Sequence, residues 1–129
     1  MSFSWGDYHK LAIELNNNNN QNNRESRKRS AVSRAYYAAY NIAVDFAFDF
    51  YEDFEIDRQS SHKSVAEWFE TNEPIVGIEL RNLFKFRKMC DYDDKVENLE
   101  RIVKDSIEWS NNIIEKINKQ RESKNTNNA

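Results

Sequence analysis

Three groups of residues in this 129-residue chain have types and spacings that could do chemistry. The first is Arg87 and Asp91, four residues apart, with Tyr92 beside them. On a helix that spacing sets guanidinium and carboxylate on one face, continuing a stripe of Val76, Leu80, Leu83 and Phe84 that should look into a core. The pair either closes the rim of the core or holds Arg87 in a cleft. The second group is a polar line of Arg34, Asn41 and Asp45, followed by Asp49 and Glu52, on a segment that is otherwise largely apolar. It either faces solvent or meets the Arg87 end in that cleft. Two arginines there would suit a phosphate, because a guanidinium gives two parallel hydrogen bonds to phosphate oxygens. The third group, Arg24, Arg27, Lys28 and Arg29, crowds the start of the same segment with Glu25 among it. It reads as a solvated helix start, with RNA or phosphate as the natural ligand if it binds anything.

Other chemistries are excluded by what is scarce. The only glycines are Gly6 and Gly77, so no glycine-rich phosphate loop can be written. Cys90 stands alone and the histidines are His9 and His62, which gives neither a disulfide nor a zinc ligand set, so no metal or cofactor is expected. His9 has no evident partner, His62 reads as part of a helix start, and Cys90 as a small buried apolar residue. The net charge of -3 and a pI near 5.5 argue against a general, charge-driven nucleic-acid binder while leaving room for a local basic patch. With no apolar run of membrane-spanning length and no apolar leader, a soluble, cytoplasmic protein is expected.

The elements that must position these groups are helices. Two glycines and one proline are too few for the tight turns of a sheet protein. Ser4 can open a helix carrying Trp5, Tyr8, Leu11, Ala12 and Leu15 at helical spacing. Residues 16–23, all Asn but for Gln21, read as a flexible loop. A central helix is expected over about 25–54, with Val32, Ala35, Tyr36, Ala39, Ala43, Phe46, Phe50 and Phe54 as its main stripe and aromatics on its flanks. A short helix starts at Ser60 or Ser61 and carries Val65, Trp68 and Phe69, and Pro74 marks the start of a fourth, ending near 91. Asp94 with Glu97 forms a capping box for a last helix with a seam of Val96, Leu99, Val103, Ser106, Ser110, Ile113 and Ile117. The two serines would admit a close neighbour. The expected organisation is one domain over 1–120, followed by a disordered polar tail at 121–129.

The run from Arg29 to Ala43, which contains Ser33-Arg34-Ala35-Tyr36-Tyr37-Ala38, resembles the signature of small prokaryotic HEPN-domain proteins. His62-Lys63 with Val65 and Phe69, and Arg87 with Asp91-Tyr92-Asp93, are similar to later blocks of one HEPN subgroup. The resemblance covers about residues 5–118. It implies an all-α, up-and-down bundle of four to five helices, commonly a homodimer, from toxin-antitoxin modules, antiphage defence, or proteins encoded beside a minimal nucleotidyltransferase. Many HEPN proteins are metal-independent ribonucleases with an Arg and a His four to six residues further on. Here the residues after Arg87 run Lys-Met-Cys-Asp-Tyr-Asp-Asp, without the histidine. The resemblance therefore implies a cleft of Arg34, Asn41, Arg87, Asp91 and Tyr92 that binds RNA or a nucleotide phosphate. Arg87 would hold the phosphate, Arg34 would add a positive contact, Asp91 would orient Arg87, and Tyr92 would stand in for the absent proton-transfer group. The alternative is a non-catalytic interaction module that partners a nucleotidyltransferase.

Overall fold

The computed structural model describes residues 3–16 and 23–127, and these form five helices and no strand. They are α1 (Gly6–Asn16), α2 (Arg24–Phe50), α3 (Ser61–Asn72), α4 (Pro74–Tyr92) and α5 (Leu99–Asn127). The chain is an all-α bundle, as its shortage of turn residues requires. Most of the expected Asn-rich loop, residues 17–22, lies outside the described residues.

Helix α2 runs through the centre of the bundle because its buried surface mixes small alanines with large aromatics, Tyr36 and Phe46 among them. Ala31, Ala35, Ala38, Ala39, Ala43 and Ala47 are all fully buried, so α1 and α5 can approach its backbone closely. Its start is Asn23 in the left-handed conformation at φ 57°, which asparagine tolerates, and Glu25 sits at the positive end of the helix dipole. It ends at Phe50 rather than 54. Tyr51 becomes extended and the chain turns back, so that Phe54 is buried against Trp68 and edge-on to Phe48 instead of extending the helical stripe.

One residue, Glu73, separates α3 from α4, with Pro74 at the first position of α4, where its missing N–H costs nothing. The two helices cross tightly at Gly77. A Cβ there would come within 2.3 Å of the Glu70 backbone nitrogen.

Helix α5 departs from expectation at both ends. It opens at Leu99 after Asn98 in the left-handed conformation at φ 58°, so the capping box at Asp94 does not form. The carbonyls of Asp93 and Asp94 before it are held instead by Arg29. At the other end the helix continues to Asn127, so residues 121–127 are helical rather than a disordered tail. Arg121 pairs with Asp49 at 2.8 Å and the Lys124 ammonium lies 4.8 Å above the Tyr51 ring, which ties these turns to α2.

The core has two parts. Tyr36, Phe46, Phe54, Phe69, Leu83, Ile113 and Ile117 fill the end where α3 joins, and Ala12, Val32, Cys90 and Val103 fill the other. Ser106 and Ser110 are fully buried on α5, as their place in its seam suggests. Ser110 donates its hydroxyl to the Ala35 carbonyl at 2.7 Å, so the 3.1 Å contact with His9 Nδ1 must use the imidazole's hydrogen. His9 thus has a partner that sequence spacing does not reveal. Burial holds its pKa below the ordinary value.

Candidate functional site

Arg87 and Asp91 lie one turn apart on the last turns of α4. Arg87 Nε is 2.7 Å from Asp91 Oδ2, and the side chains are only 15% and 28% exposed. The N–H is not aligned as a hydrogen bond to that carboxylate, so the attraction is chiefly between charges. The guanidinium also lies 5.2 Å from the centre of the Tyr37 ring and 5.7 Å from that of Tyr92. Carboxylate on one side and rings on the others leave the two Nη groups without a protein partner among the described residues.

Behind Arg87 is a cluster that the sequence spacing did not predict. His62, in the first turn of α3, stacks on Phe84 of α4 at 4.5 Å with the rings 15° apart, and Tyr40 lies 5.0 Å away. Its Nδ1 is 2.5 Å from the Tyr36 hydroxyl. Tyr36 is 1% exposed, and burial, reinforced by Tyr40 and Tyr37, raises its pKa so that the phenol stays protonated. That hydroxyl has no other acceptor among the described residues, so it donates to Nδ1 and the remaining imidazole hydrogen sits on Nε2. Burial, and then the charge of Arg87, lower the His62 pKa. His62 is therefore a neutral donor beside a cation. The signal for it was present in the sequence: His62, Val65, Ala66 and Phe69 are spaced i, i+3, i+4, i+7, which places the imidazole on the core face of α3.

The other expected site residues lie elsewhere. The Arg34 guanidinium sits 4.8 Å over the Tyr8 ring of α1, and Asn41 turns its amide onto the Tyr37 carbonyl of its own helix at 2.8 Å. Among the described residues neither has an ion pair, hydrogen bond or ring contact with α4. Tyr37, one turn from both, is the α2 residue that touches Arg87, so the two-arginine cleft is replaced by an arginine packed on a tyrosine. Asp45 and Asp49 face solvent.

The basic cluster is largely committed to structure. Arg29, 17% exposed, donates to the carbonyls of Cys90 at 3.1 Å, Asp93 at 2.5 Å and Asp94 at 3.0 Å, closing the C-terminal end of α4, and its Nε pairs with Glu25 at 3.4 Å. Arg24 pairs with Glu100 on α5, and Lys28 donates to Asn16 Oδ1 at 2.8 Å. Cys90, beneath Arg29, is buried, and its thiol is pushed up to about 11.

Comparison with family models, curated proteins and solved structures finds no match to this chain. Among the described residues no group of His, Cys, Asp and Glu could hold a metal ion, and no helix is long and apolar enough to cross a membrane. The site offers a guanidinium whose Nε faces a carboxylate, a neutral imidazole N–H and tyrosine rings.

Proposed function

We propose that this chain is a HEPN-type protein that binds the phosphate of an RNA or nucleotide at Arg87, in a toxin-antitoxin or antiphage setting. The observation that carries the reading is the Nη edge of Arg87, without a protein partner among the described residues, with Nε facing Asp91 and the guanidinium against Tyr37, a ring that the His62 imidazole also approaches at 6.2 Å. An anion received there gains hydrogen bonds from the two Nη groups. His62 Nε2–H is the natural second donor. A carboxylate behind the arginine fixes its direction, and a half-buried position strengthens the attraction over what solvent would allow.

Strand cleavage of the ribonuclease kind would ask more of His62. To take the proton of a ribose 2′-hydroxyl it must free Nε2, which requires Nδ1–H to donate to Tyr36 and the phenol hydrogen to find another acceptor. The packing around Tyr36 favours the donor form, so binding is the function supported best, and any cleavage is expected to be slow. A second reading, the non-catalytic interaction module, draws support from Phe48, 55% exposed in the last turn of α2 and edge-on to Phe54. A homodimer or a nucleotidyltransferase partner would cover that ring.

The test is binding of a labelled oligoribonucleotide in EDTA by the native protein, Arg87→Ala and Arg87→Lys. Loss of hydrogen bonds to a charged group predicts roughly 10- to 100-fold weaker binding for Arg87→Ala, with partial recovery in Arg87→Lys, which keeps the charge but not the fork. Equal binding by folded Arg87→Ala would refute the assignment. Incubation with total RNA under the same conditions reads cleavage directly.

A further inference from the structure

The outer face of α4 carries a groove of about 380 Å³ whose lining includes Phe84, Lys85, Lys88, Met89 and Tyr92. Three features distinguish it from the rest of a surface whose net charge is negative. Its floor is aromatic and sulfur-bearing. Tyr92, 74% exposed, stands at one end with a ring face open to solvent, and the Lys88 ammonium lies 5.5 Å over the Phe84 ring. Lys85, Lys88 and Tyr92 recur at i, i+3 and i+7, a single helical face. Neither lysine has an acidic partner among the described residues, whereas Arg81, at the far end, is tied to Glu70 at 2.6 Å.

The groove also touches the phosphate site from outside. Phe84 shows one face to His62, and Tyr92 lies over Arg87. The negative end of the α4 dipole and the Asp93 carboxylate, which also lines the groove, would ordinarily repel an anion near Tyr92; Arg29 offsets them by taking up the carbonyls of Cys90, Asp93 and Asp94.

We infer that this groove seats the nucleotide next to the phosphate held at Arg87, with its base on Tyr92 and its backbone along Lys88 and Lys85, so that the ligand is single-stranded RNA rather than a mononucleotide. The inference rests on Arg87 as the phosphate holder. A duplex does not suit it, because its bases are stacked on one another and offer no free face to Tyr92.

The experiment is fluorescence anisotropy with a labelled oligouridylate, repeated with an RNA duplex, a polyglutamate peptide and uridine monophosphate as competitors. The proteins are the native chain, Arg87→Ala, Tyr92→Leu, Tyr92→Trp and Lys85→Ala/Lys88→Ala. The substituted groove positions, Lys85, Lys88 and Tyr92, are all exposed, and circular dichroism verifies folding. Expected are a roughly 5- to 150-fold loss in Tyr92→Leu, retention in Tyr92→Trp, and a salt slope shallower by about 1.4 in the double lysine variant. Competition by the duplex or the monophosphate is expected to be weak. Groove variants that bind like the native chain while Arg87→Ala does not would overturn this inference and leave the phosphate site standing. Displacement by polyglutamate as effective as by RNA would also overturn it, by showing a surface for acidic peptides. No RNA binding by the native chain would overturn both readings.

Discussion

The contact between Tyr36 and His62 makes a quantitative prediction. Replacing His62 by Ala leaves the Tyr36 hydroxyl, buried at 1% exposure, without its acceptor, at a cost of about 1–3 kcal/mol. It also removes the stacked partner of Phe84, a loss of about 0.5–1.5 kcal/mol. The sum is about 1.5–4.5 kcal/mol. Tyr36→Phe removes the hydroxyl itself and should cost only about 1 kcal/mol, since no buried donor is orphaned. In the Tyr36→Phe background, His62→Ala then loses only the stack, so the two changes should be non-additive by about 1–3 kcal/mol. Urea denaturation of the four proteins measures this coupling, and thermal melting should show it as about 3–5 °C per kcal/mol at this chain length. Additivity to within about 0.5 kcal/mol would refute the hydrogen bond and the tautomer built on it.

Other outcomes follow from the same structure. The His62 and His9 pKa values are both lowered by folding from 6.5, so the unfolded chain binds more protons as the pH falls below that value. Stability should therefore decline with acidification through this window, and melting between about pH 8 and pH 5 should show a smaller decline in His62→Ala. Gly77→Ala, which helix propensity alone would make stabilising by about 1 kcal/mol, should instead destabilise by about 1–3 kcal/mol because the new methyl meets the Glu70 backbone. Chemical denaturation decides the sign. Arg29→Met keeps the apolar stem but loses the bonds to three carbonyls, and should cost about 1.5–3 kcal/mol, with faster amide exchange in the last turn of α4.

Helix number and order were legible in the sequence because apolar spacing and the few punctuating residues, Pro74 above all, report local structure. The errors came where local rules competed with tertiary contacts. Phe54 kept the helical period of α2 yet is buried by a turn, and Asp94 with Glu97 satisfied a capping pattern while Asn98 opened α5. Residues 121–127 look like a polar tail, but Arg121 and Lys124 find α2. In the site, the i, i+4 pairing of Arg87 with Asp91 is local and could be read directly. Arg34 and His62 could not be placed that way, because their neighbours come from α1 in one case and from α2 and α4 in the other. The polar line keeps its period on α2 through Arg34, Asn41, Asp45 and Asp49, while Glu52 falls beyond the helix end, and which helix the line faces is a property of the assembled bundle.

The crossing at Gly77 also acts as a gauge for the site. Arg87 lies ten residues beyond it on α4, about 15 Å along the axis, and His62 lies eight residues before Glu70 on α3, about 12 Å away. The two helices form the arms of a caliper, with its joint at the single residue Glu73 and its stop where hydrogen stands in place of a methyl. The opening between guanidinium and imidazole is thus governed by an atom that touches neither of them, and a change there would be felt as a widened gap at the jaws.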